Sequence, residues 1–162
     1  MTAEKYNECV GLYADALYRF ILKNIREPED ARDVVQNAFE ALWINRNEVN
    51  PEKIKSWLFT VAYHKMIDLI RKRKRMKLVE TMPESAAGSH APGNPDLKGL
   101  LNKALETLPD IQKQLVLLKD YEGYSYTEIG QITGLNESQV KVYLFRARMS
   151  LKKTLVSIEQ TL

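Results

Sequence analysis

Apolar residues recur every three or four positions along most of this 162-residue chain, and this spacing predicts helices. Over residues 6–25, for example, Val10, Leu17 and Ile21 would share one helical face. Long alternation of apolar and polar residues, the pattern typical of strands, does not occur in the sequence. Most glycines and prolines fall between the apolar segments. We therefore expect an all-α protein.

A second helix is predicted over residues 28–44, because Pro28 suits a first helical turn, where its missing N–H costs nothing. Its apolar stripe ends at Trp43, and a third helix starting near Lys53 carries a similar stripe with Trp57. We expect both tryptophans in the core. The opposite side of the second helix holds polar and acidic residues: Asp30, Asp33, Asn37 and Glu40. Charge alone leaves open whether this face is solvated or binds a basic protein.

The composition changes between residues 80 and 98, where prolines, glycines and small polar residues dominate. Such a segment cannot bury enough apolar surface to offset the entropy lost on ordering, so we interpret it as a flexible linker. The predicted organisation is a first domain over residues 1–78, a linker over 79–98 and a second domain over 99–162. Each would be a small helical domain with a limited core.

The second domain contains a predicted helix-turn-helix. Ser125 and Glu128 have the spacing of a capping box at the start of a short helix, and Gly134 can adopt the positive φ angle that ends it. Asn136 and Gln139 repeat the capping pattern for a second helix, over about residues 137–152. In this arrangement the second helix enters the DNA major groove with its N-terminus first.

Side chains on the outer face of that second helix are the candidate duplex contacts. Gln139 could bind an adenine edge, and Arg146 a guanine edge or a phosphate. Ser125 and Tyr126 lie where a DNA-backbone contact is expected. The complete predicted set on the second helix is Ser138, Gln139, Lys141, Val142, Phe145 and Arg146. The alternative is a plain helical hairpin, but the two caps around a glycine turn and the basic second helix favour DNA binding.

The net charge of +3 conceals a basic block over residues 65–77, where Asp68 is the lone acid. Such a block indicates a polyanionic partner or a solvated helix end, and charge alone does not separate the two. Aromatic residues precede the block, and aromatic rings with nearby cations can bind unpaired bases. Phe59 has two possible roles, as a core residue or as a base contact. The predicted contacts on this helix are Tyr63, His64, Lys65, Arg71, Lys72 and Arg73.

Several classes of protein are disfavoured by composition. Cys9 is the only cysteine, and His64 and His90 are the only histidines, so neither an internal disulfide nor a metal cluster is expected. The sequence shows no signal peptide, membrane-spanning run, phosphate loop or paired nucleophile and base. We expect a cytoplasmic protein that is not an enzyme, needs no cofactor and does not insert into a membrane.

Three segments resemble the extracytoplasmic-function (ECF) sigma factors of bacterial RNA polymerase: residues 30–43, 56–75 and 108–152. The first two are similar to region 2 of that family, and the third to region 4. The resemblance covers nearly the whole chain apart from the linker and the ends. It implies a protein that binds core polymerase, through the β′ coiled coil and the β flap, and promoter DNA. An anti-sigma factor is also expected from the family.

The resemblance assigns roles to the candidate residues. The segment that binds the β′ coiled coil would include Asp30, Asp33, Gln36, Asn37 and Glu40, with Phe39 and Trp43 nearby. Residues 45–56 and the start of the third helix would capture a flipped base of the minus-ten element, with Tyr63, His64 and Lys65 on the same surface. The second helix of the helix-turn-helix would read the minus-thirty-five element. The family often has Asn at His64, Gly-Thr at Ser138-Gln139 and Ser-Arg at Val142-Tyr143.

Two other functions fit part of the sequence. A helix-turn-helix regulator acting without polymerase would dimerise on a palindrome, but the acidic face of the second helix would then have no role. An RNA-binding adaptor could use the basic block, but the second domain would remain unexplained. The sigma-factor interpretation accounts for all three segments.

Overall fold

The computed structural model describes residues 1–79 and 96–160, and every regular element within them is helical. The prediction of an all-α fold is confirmed. The first half contains α1 (Ala3–Ile25), α2 (Pro28–Ile44), a short 3₁₀ turn (Pro51–Lys53) and α3 (Ile54–Val79). The second half contains α4 (Leu97–Glu106), α5 (Asp110–Val116), α6 (Tyr126–Thr133) and α7 (Glu137–Gln160). Residues 80–95 of the predicted linker lie outside the described residues.

The first half is a bundle in which α1, α2 and α3 pack against one another. α1 ends at Ile25, and its C-cap Arg26 has a left-handed φ of 64° that reverses the chain. Pro28 then begins α2 as predicted. The expected helical faces meet in the core, where Leu17, Leu42 and Leu58 are fully buried. Phe59 is also fully buried, so of its two possible roles the structure shows the core one.

The expectation that Trp43 is a core residue is wrong, because 39% of it is exposed. It lies in the last turn of α2, where its ring meets Tyr6 at 5.1 Å and the Arg46 guanidinium at 4.1 Å. These two side chains cover it only in part. Trp57, in contrast, is half-buried and packs against the core.

In the second half, α4 and α5 pack on α7, and α6 forms the helix-turn-helix with it. α4 begins at Leu97, inside the range predicted as linker, because the Asp96 side chain accepts a 2.7 Å hydrogen bond from the Gly99 N–H and caps the helix. Leu97 itself is 77% exposed. α5 continues as a π-helical turn (Leu117–Tyr121), and α7 extends beyond its predicted end.

The capping pattern of the helix-turn-helix is confirmed. Ser125 and Glu128 form the reciprocal capping box, and Gly134 has a φ of 82°. Gly130 was not singled out by the sequence, yet a Cβ there would lie 2.8 Å from the Leu135 carbonyl oxygen. The tight turn between α6 and α7 therefore depends on the absence of a side chain at Gly130.

The two halves pack against each other, with α3 against α6 and α1 against α5. The Phe59 ring meets the Tyr124 ring edge-on, with 5.2 Å between centroids. The Tyr63 hydroxyl donates a 2.9 Å hydrogen bond to the Gln114 amide oxygen. The sequence left the relative position of the two halves open, and the structure shows them in direct contact.

Candidate polymerase and nucleic-acid interfaces

The polar face of α2 is mainly acidic, with Glu29, Asp33 and Glu40 exposed beside a single exposed cation, Arg32. Four of the five predicted polymerase-binding residues are exposed there: Asp33, Gln36, Asn37 and Glu40. The fifth, Asp30, is half-buried and forms an ion pair with Arg73. This surface would repel a nucleic acid and attract a basic partner.

An open apolar depression of about 560 Å³ lies at the end of this acidic surface. Tyr6, Glu40, Trp43 and Ile44 contribute to its lining, and Ile44 is 76% exposed. The Tyr6 hydroxyl donates a 2.9 Å hydrogen bond to the Phe39 carbonyl oxygen, which fixes one wall. The Glu40 carboxylate lies beside the exposed apolar side chains of this depression. Such a site can bind a basic helix that also carries an apolar residue. The sequence pattern concealed this depression, because it predicted Trp43 to be buried.

Some of the predicted nucleic-acid-binding residues of α3 are exposed, and others contact the rest of the protein. His64, Lys65, Arg71 and Lys72 are exposed. Arg73 instead turns inwards, pairing with Asp30 and donating a 3.1 Å hydrogen bond to the Ile25 carbonyl oxygen.

Tyr63 is buried, at 5% exposure, between α3 and the second half of the chain. Its ring meets the His64 ring edge-on at 5.8 Å, and its hydroxyl is bonded to Gln114. Burial raises the pKa of the Tyr63 hydroxyl to about 12, although the nearby Arg71 lowers it. In this arrangement, Tyr63 cannot stack on a base.

The helix-turn-helix brings most of its predicted contact residues to one side. α7 buries Val140, Leu144 and Ala147 against the second-half core. Its outward residues are all exposed: Ser138, Gln139, Lys141, Val142, Phe145 and Arg146. Phe145 is 67% exposed and Val142 46%, so the outer face is partly apolar.

Side chains at the start of the motif are held by local contacts. Ser125 is exposed and caps α6. Tyr126 is half-buried, with the ammonium groups of Lys119 and Lys141 lying 4.7 and 5.5 Å from the centroid of its ring. Two lysine ammonium groups and a tyrosine therefore lie together at the start of the motif, and both residue types commonly contact DNA phosphates.

Gln139 has two competing uses. Its amide oxygen accepts a 3.0 Å hydrogen bond from the Asn136 N–H, while its own N–H donates to the Asn136 side chain at 2.8 Å. Bidentate recognition of adenine uses both the amide oxygen and the amide NH₂. Reading an adenine would therefore require Gln139 to release or share its capping bond.

The junction between the halves contains charged residues that the sequence did not single out. A cavity of about 310 Å³ is lined by Arg26, Glu106 and Lys113, among others. Lys113 is buried, and its ammonium lies 3.1 Å from a Glu106 carboxylate oxygen. Burial and the charge of Arg26 nevertheless lower the pKa of Lys113 to about 8. Arg26 belongs to the first half and Glu106 and Lys113 to the second, so local patterns carry no signal for this cavity.

Within residues 1–79 and 96–160, no group of three or more His, Cys, Asp or Glu side chains could hold a metal ion. The helices in the same ranges include none with a stretch long and apolar enough to cross a bilayer. The Cys9 thiol is buried, and this burial raises its pKa.

Two family models match the chain, one in each half. The family model Sigma-70 region 2 matches residues 9–76, and Sigma-70, region 4 matches residues 98–151. The ECF RNA polymerase sigma factor SigM of Bacillus subtilis is 30% identical over 90% of this chain and 92% of its own length. The RNA polymerase sigma factor SigV of the same organism is 31% identical over 86% of this chain and 84% of its own.

Among solved structures, the sigma factor RpoE of Bartonella quintana, in complex with the anti-sigma factor NepR, superposes with a TM-score of 0.76. It is 25% identical, and the match covers 94% of this chain and 98% of that one. The matches span both halves in the same order, so the alternative of a helix-turn-helix regulator that acts without core polymerase is not favoured. The chain belongs to the ECF family of RNA polymerase sigma factors and directs transcription initiation.

Proposed function

We propose that three separate surfaces of this sigma factor divide the work of promoter recognition. The acidic face of α2 binds core RNA polymerase, α3 binds the unpaired strand of the minus-ten element, and α7 binds duplex DNA at the minus-thirty-five element. The observation that carries this proposal is the segregation of charge. Acids outnumber cations among the exposed charges of α2, where Arg32 is the exposed cation, whereas exposed cations predominate on α3 and on the outer side of α7.

The partner proposed for α2 is the coiled coil of the polymerase β′ subunit. The exposed carboxylates of Asp33 and Glu40 would pair with basic side chains of that coiled coil. The depression beside Trp43 and Ile44 would accept an apolar side chain, which is the usual anchor at the centre of a protein interface. We further propose that the second half contacts the β flap, so that polymerase fixes the spacing between the halves.

The cationic side of α3 supports single-strand binding. His64, Lys65, Arg71 and Lys72 are exposed along the helix and can hold phosphates or stack on bases. Tyr63 would join them once its contact with the second half is broken. Binding the unpaired strand more strongly than the duplex favours the melted promoter without any change of covalent bonds.

The outer face of α7 supports duplex binding. Arg146 is exposed and can reach a guanine edge or a phosphate, while Val142 and Phe145 suit apolar contact with thymine methyl groups. Each half alone would bind weakly, and their linkage would strengthen the second contact through a high effective concentration. We also propose a cytoplasmic location and, by analogy with the Bartonella complex, an anti-sigma partner.

Reconstituted transcription tests the proposal directly. Purified chain and core polymerase are incubated with a promoter library, and the transcripts are sequenced with and without the chain. We expect transcription from a subset of promoters that share two elements at fixed spacing. Transcripts that are independent of this chain, or a chain that fails to associate with core enzyme at any ionic strength, would refute it.

A further inference from the structure

We infer that the cavity between the end of α1 and the helices α4 and α5 is a binding site for a small organic phosphate, a phosphate monoester that carries two negative charges. The volume of this cavity, about 310 Å³, lies in the range of small-molecule sites. None of the residues proposed above to bind polymerase or DNA is among its described lining residues. The site is therefore separate from the surfaces proposed for promoter recognition.

Cations outnumber acids in the lining of the cavity. Lys23, Arg26 and Lys113 bring positive charge to it, and Glu106 is the single acid among the described lining residues. The Glu106 carboxylate pairs with Arg26 and lies 3.1 Å from the Lys113 ammonium, so it balances one of the three charges. Three cations and one acid leave a net charge of +2 in the lining, which a dianion would neutralise.

Two of these cations lie where water and neighbouring charges stabilise them poorly. Lys113 is 6% exposed, and burial and the charge of Arg26 lower its pKa to about 8, although Asp110 acts in the opposite direction. Burial and the charge of Arg19 also lower the pKa of Lys23. Nearby positive charge thus disfavours both ammonium groups, and an anion bound between them would relieve that repulsion.

The backbone at Arg26 is a second sign that its side chain has a binding role. Within residues 1–79 and 96–160, Arg26 is the only non-glycine residue with a positive φ. Glycine is the usual residue in this left-handed conformation at a helix end, because a Cβ is unfavourable there. The contacts of the guanidinium offset that cost, and they would include the bound phosphate as well as Glu106.

The uncharged part of the lining indicates an ester rather than a free phosphate ion. Leu22 and Leu105 form apolar wall, and Asn102 supplies an amide that can donate and accept hydrogen bonds. A carbon skeleton of a few atoms would cover the leucines, and its hydroxyl groups would bond to the amide. Since the bound ester would contact both halves of the chain, it would stabilise their contact.

Calorimetric titration of the full chain tests the site. The probes are ribose 5-phosphate, inorganic phosphate and ribose, all at the same low ionic strength. We expect one-to-one binding of ribose 5-phosphate, about tenfold weaker binding of inorganic phosphate and no binding of ribose. A chain that does not bind ribose 5-phosphate saturably would overturn the inference, and equal affinities for the two phosphates would overturn the assignment to an ester.

Lys113→Met and Lys103→Met locate the site. Each substitution removes one positive charge from the second half, and methionine keeps much of the lysine side-chain volume. Lys103 is exposed on α4 and does not line the cavity. We expect Lys113→Met to bind ribose 5-phosphate about tenfold more weakly and Lys103→Met to bind it normally, with circular dichroism as the check on folding. Equal weakening would mean that only the general positive charge of the chain attracts the phosphate.

Glu106→Gln tests the site in the opposite direction, since it removes the carboxylate that competes with the ligand while keeping the side-chain shape. We expect about tenfold tighter binding of ribose 5-phosphate and a larger ligand-induced rise in the thermal midpoint. A variant that merely damaged the fold would not bind more tightly. Unchanged or weaker binding would show that Arg26, Lys113 and Glu106 form a structural ion-pair network with no ligand.

Discussion

Arg73 pairs with Asp30, and it thereby joins a residue predicted to bind DNA to a residue predicted to bind polymerase. The same guanidinium donates to the Ile25 carbonyl oxygen, at the end of α1. One side chain of α3 thus ties together the end of α1 and the first turn of α2. Arg73 and Asp30 hold the first half together, and this contact limits what either can offer to a partner.

Arg73→Ala is expected to destabilise the first half, because the Ile25 carbonyl and the Asp30 carboxylate each lose a partner. Both side chains of the ion pair are about one-third exposed, so the expected loss is only about 1 kcal/mol of unfolding free energy in urea. Lys72→Ala is the control, since Lys72 is exposed next to it. Lys72→Ala should weaken nucleic-acid binding and leave stability unchanged. The reverse pattern would assign Arg73 to DNA contact.

Asp33→Arg is expected to weaken the association with core polymerase by about tenfold or more, since it places a cation against a basic partner. Asp15→Arg is the matched control, because Asp15 is exposed on α1 and the charge change is the same. Affinity is measured by fluorescence anisotropy, and circular dichroism checks the fold. Equal affinities of the two variants for core enzyme would remove α2 from the interface.

Gln139→Glu separates capping from base reading. A carboxylate can still accept the Asn136 N–H and is favoured at a helix N-terminus, so the thermal midpoint should not fall. It cannot donate to adenine N7, so preference at one base pair of the minus-thirty-five element should be lost. Added repulsion from phosphates would weaken all sequences alike. A substituted chain that keeps its base preference would show that Gln139 is a cap only.

Alkaline pH is expected to destabilise the folded chain through Tyr63. Its pKa rises from the ordinary 10.0 to about 12 on folding, so the neutral phenol is the form that the folded state favours. The stabilisation is complete below pH 10 and is lost as the pH rises towards about 12, since the unfolded chain ionises first. Across that interval the free energy of unfolding should fall by about 1–2 kcal/mol more than in Tyr63→Phe. Parallel pH profiles for the two proteins would show that Tyr63 is not buried in solution.

Gly130→Ala is expected to destabilise the helix-turn-helix by about 1–3 kcal/mol, because the new Cβ would press on the Leu135 carbonyl oxygen. Gly11→Ala is the control. A Cβ at Gly11, in the middle of α1, meets nothing within 4 Å, so that substitution should stabilise the chain by about 0.5–1 kcal/mol. Urea denaturation of both variants gives the comparison. The two substitutions should change the free energy of unfolding in opposite directions. A stabilising Gly130→Ala would show that position 130 does not lie close to the Leu135 carbonyl oxygen.

Local signals in the sequence predicted the fold well. The Ser125 capping box, the turn at Gly134 and the start of α2 at Pro28 all depend on residues within a few positions of one another. The helix-turn-helix and most helix boundaries followed from them. The start of α4 was missed because Asp96, its cap, lies beside a segment whose composition favours a linker.

The sequence did not predict contacts between residues that are distant in the chain. Helical spacing placed Trp43 on the apolar stripe, but no pattern shows that only Tyr6 and Arg46 cover its ring. Likewise, the type and position of Tyr63 indicated a base-stacking residue. Its bond to Gln114 depends on how two halves dock, which periodicity within either half does not encode.

The two tryptophans have different surroundings, so the intrinsic fluorescence of the protein can report the binding of a partner. Trp43 lies half in solvent beneath a guanidinium, at the edge of the depression on α2, whereas Trp57 packs against the core. A protein that docks on α2 would exclude water from Trp43 and shift its fluorescence emission, whereas the emission of Trp57 would not change. Replacing Trp57 with Phe would therefore leave Trp43 as the single tryptophan, whose emission follows docking in real time with no dye attached to the chain.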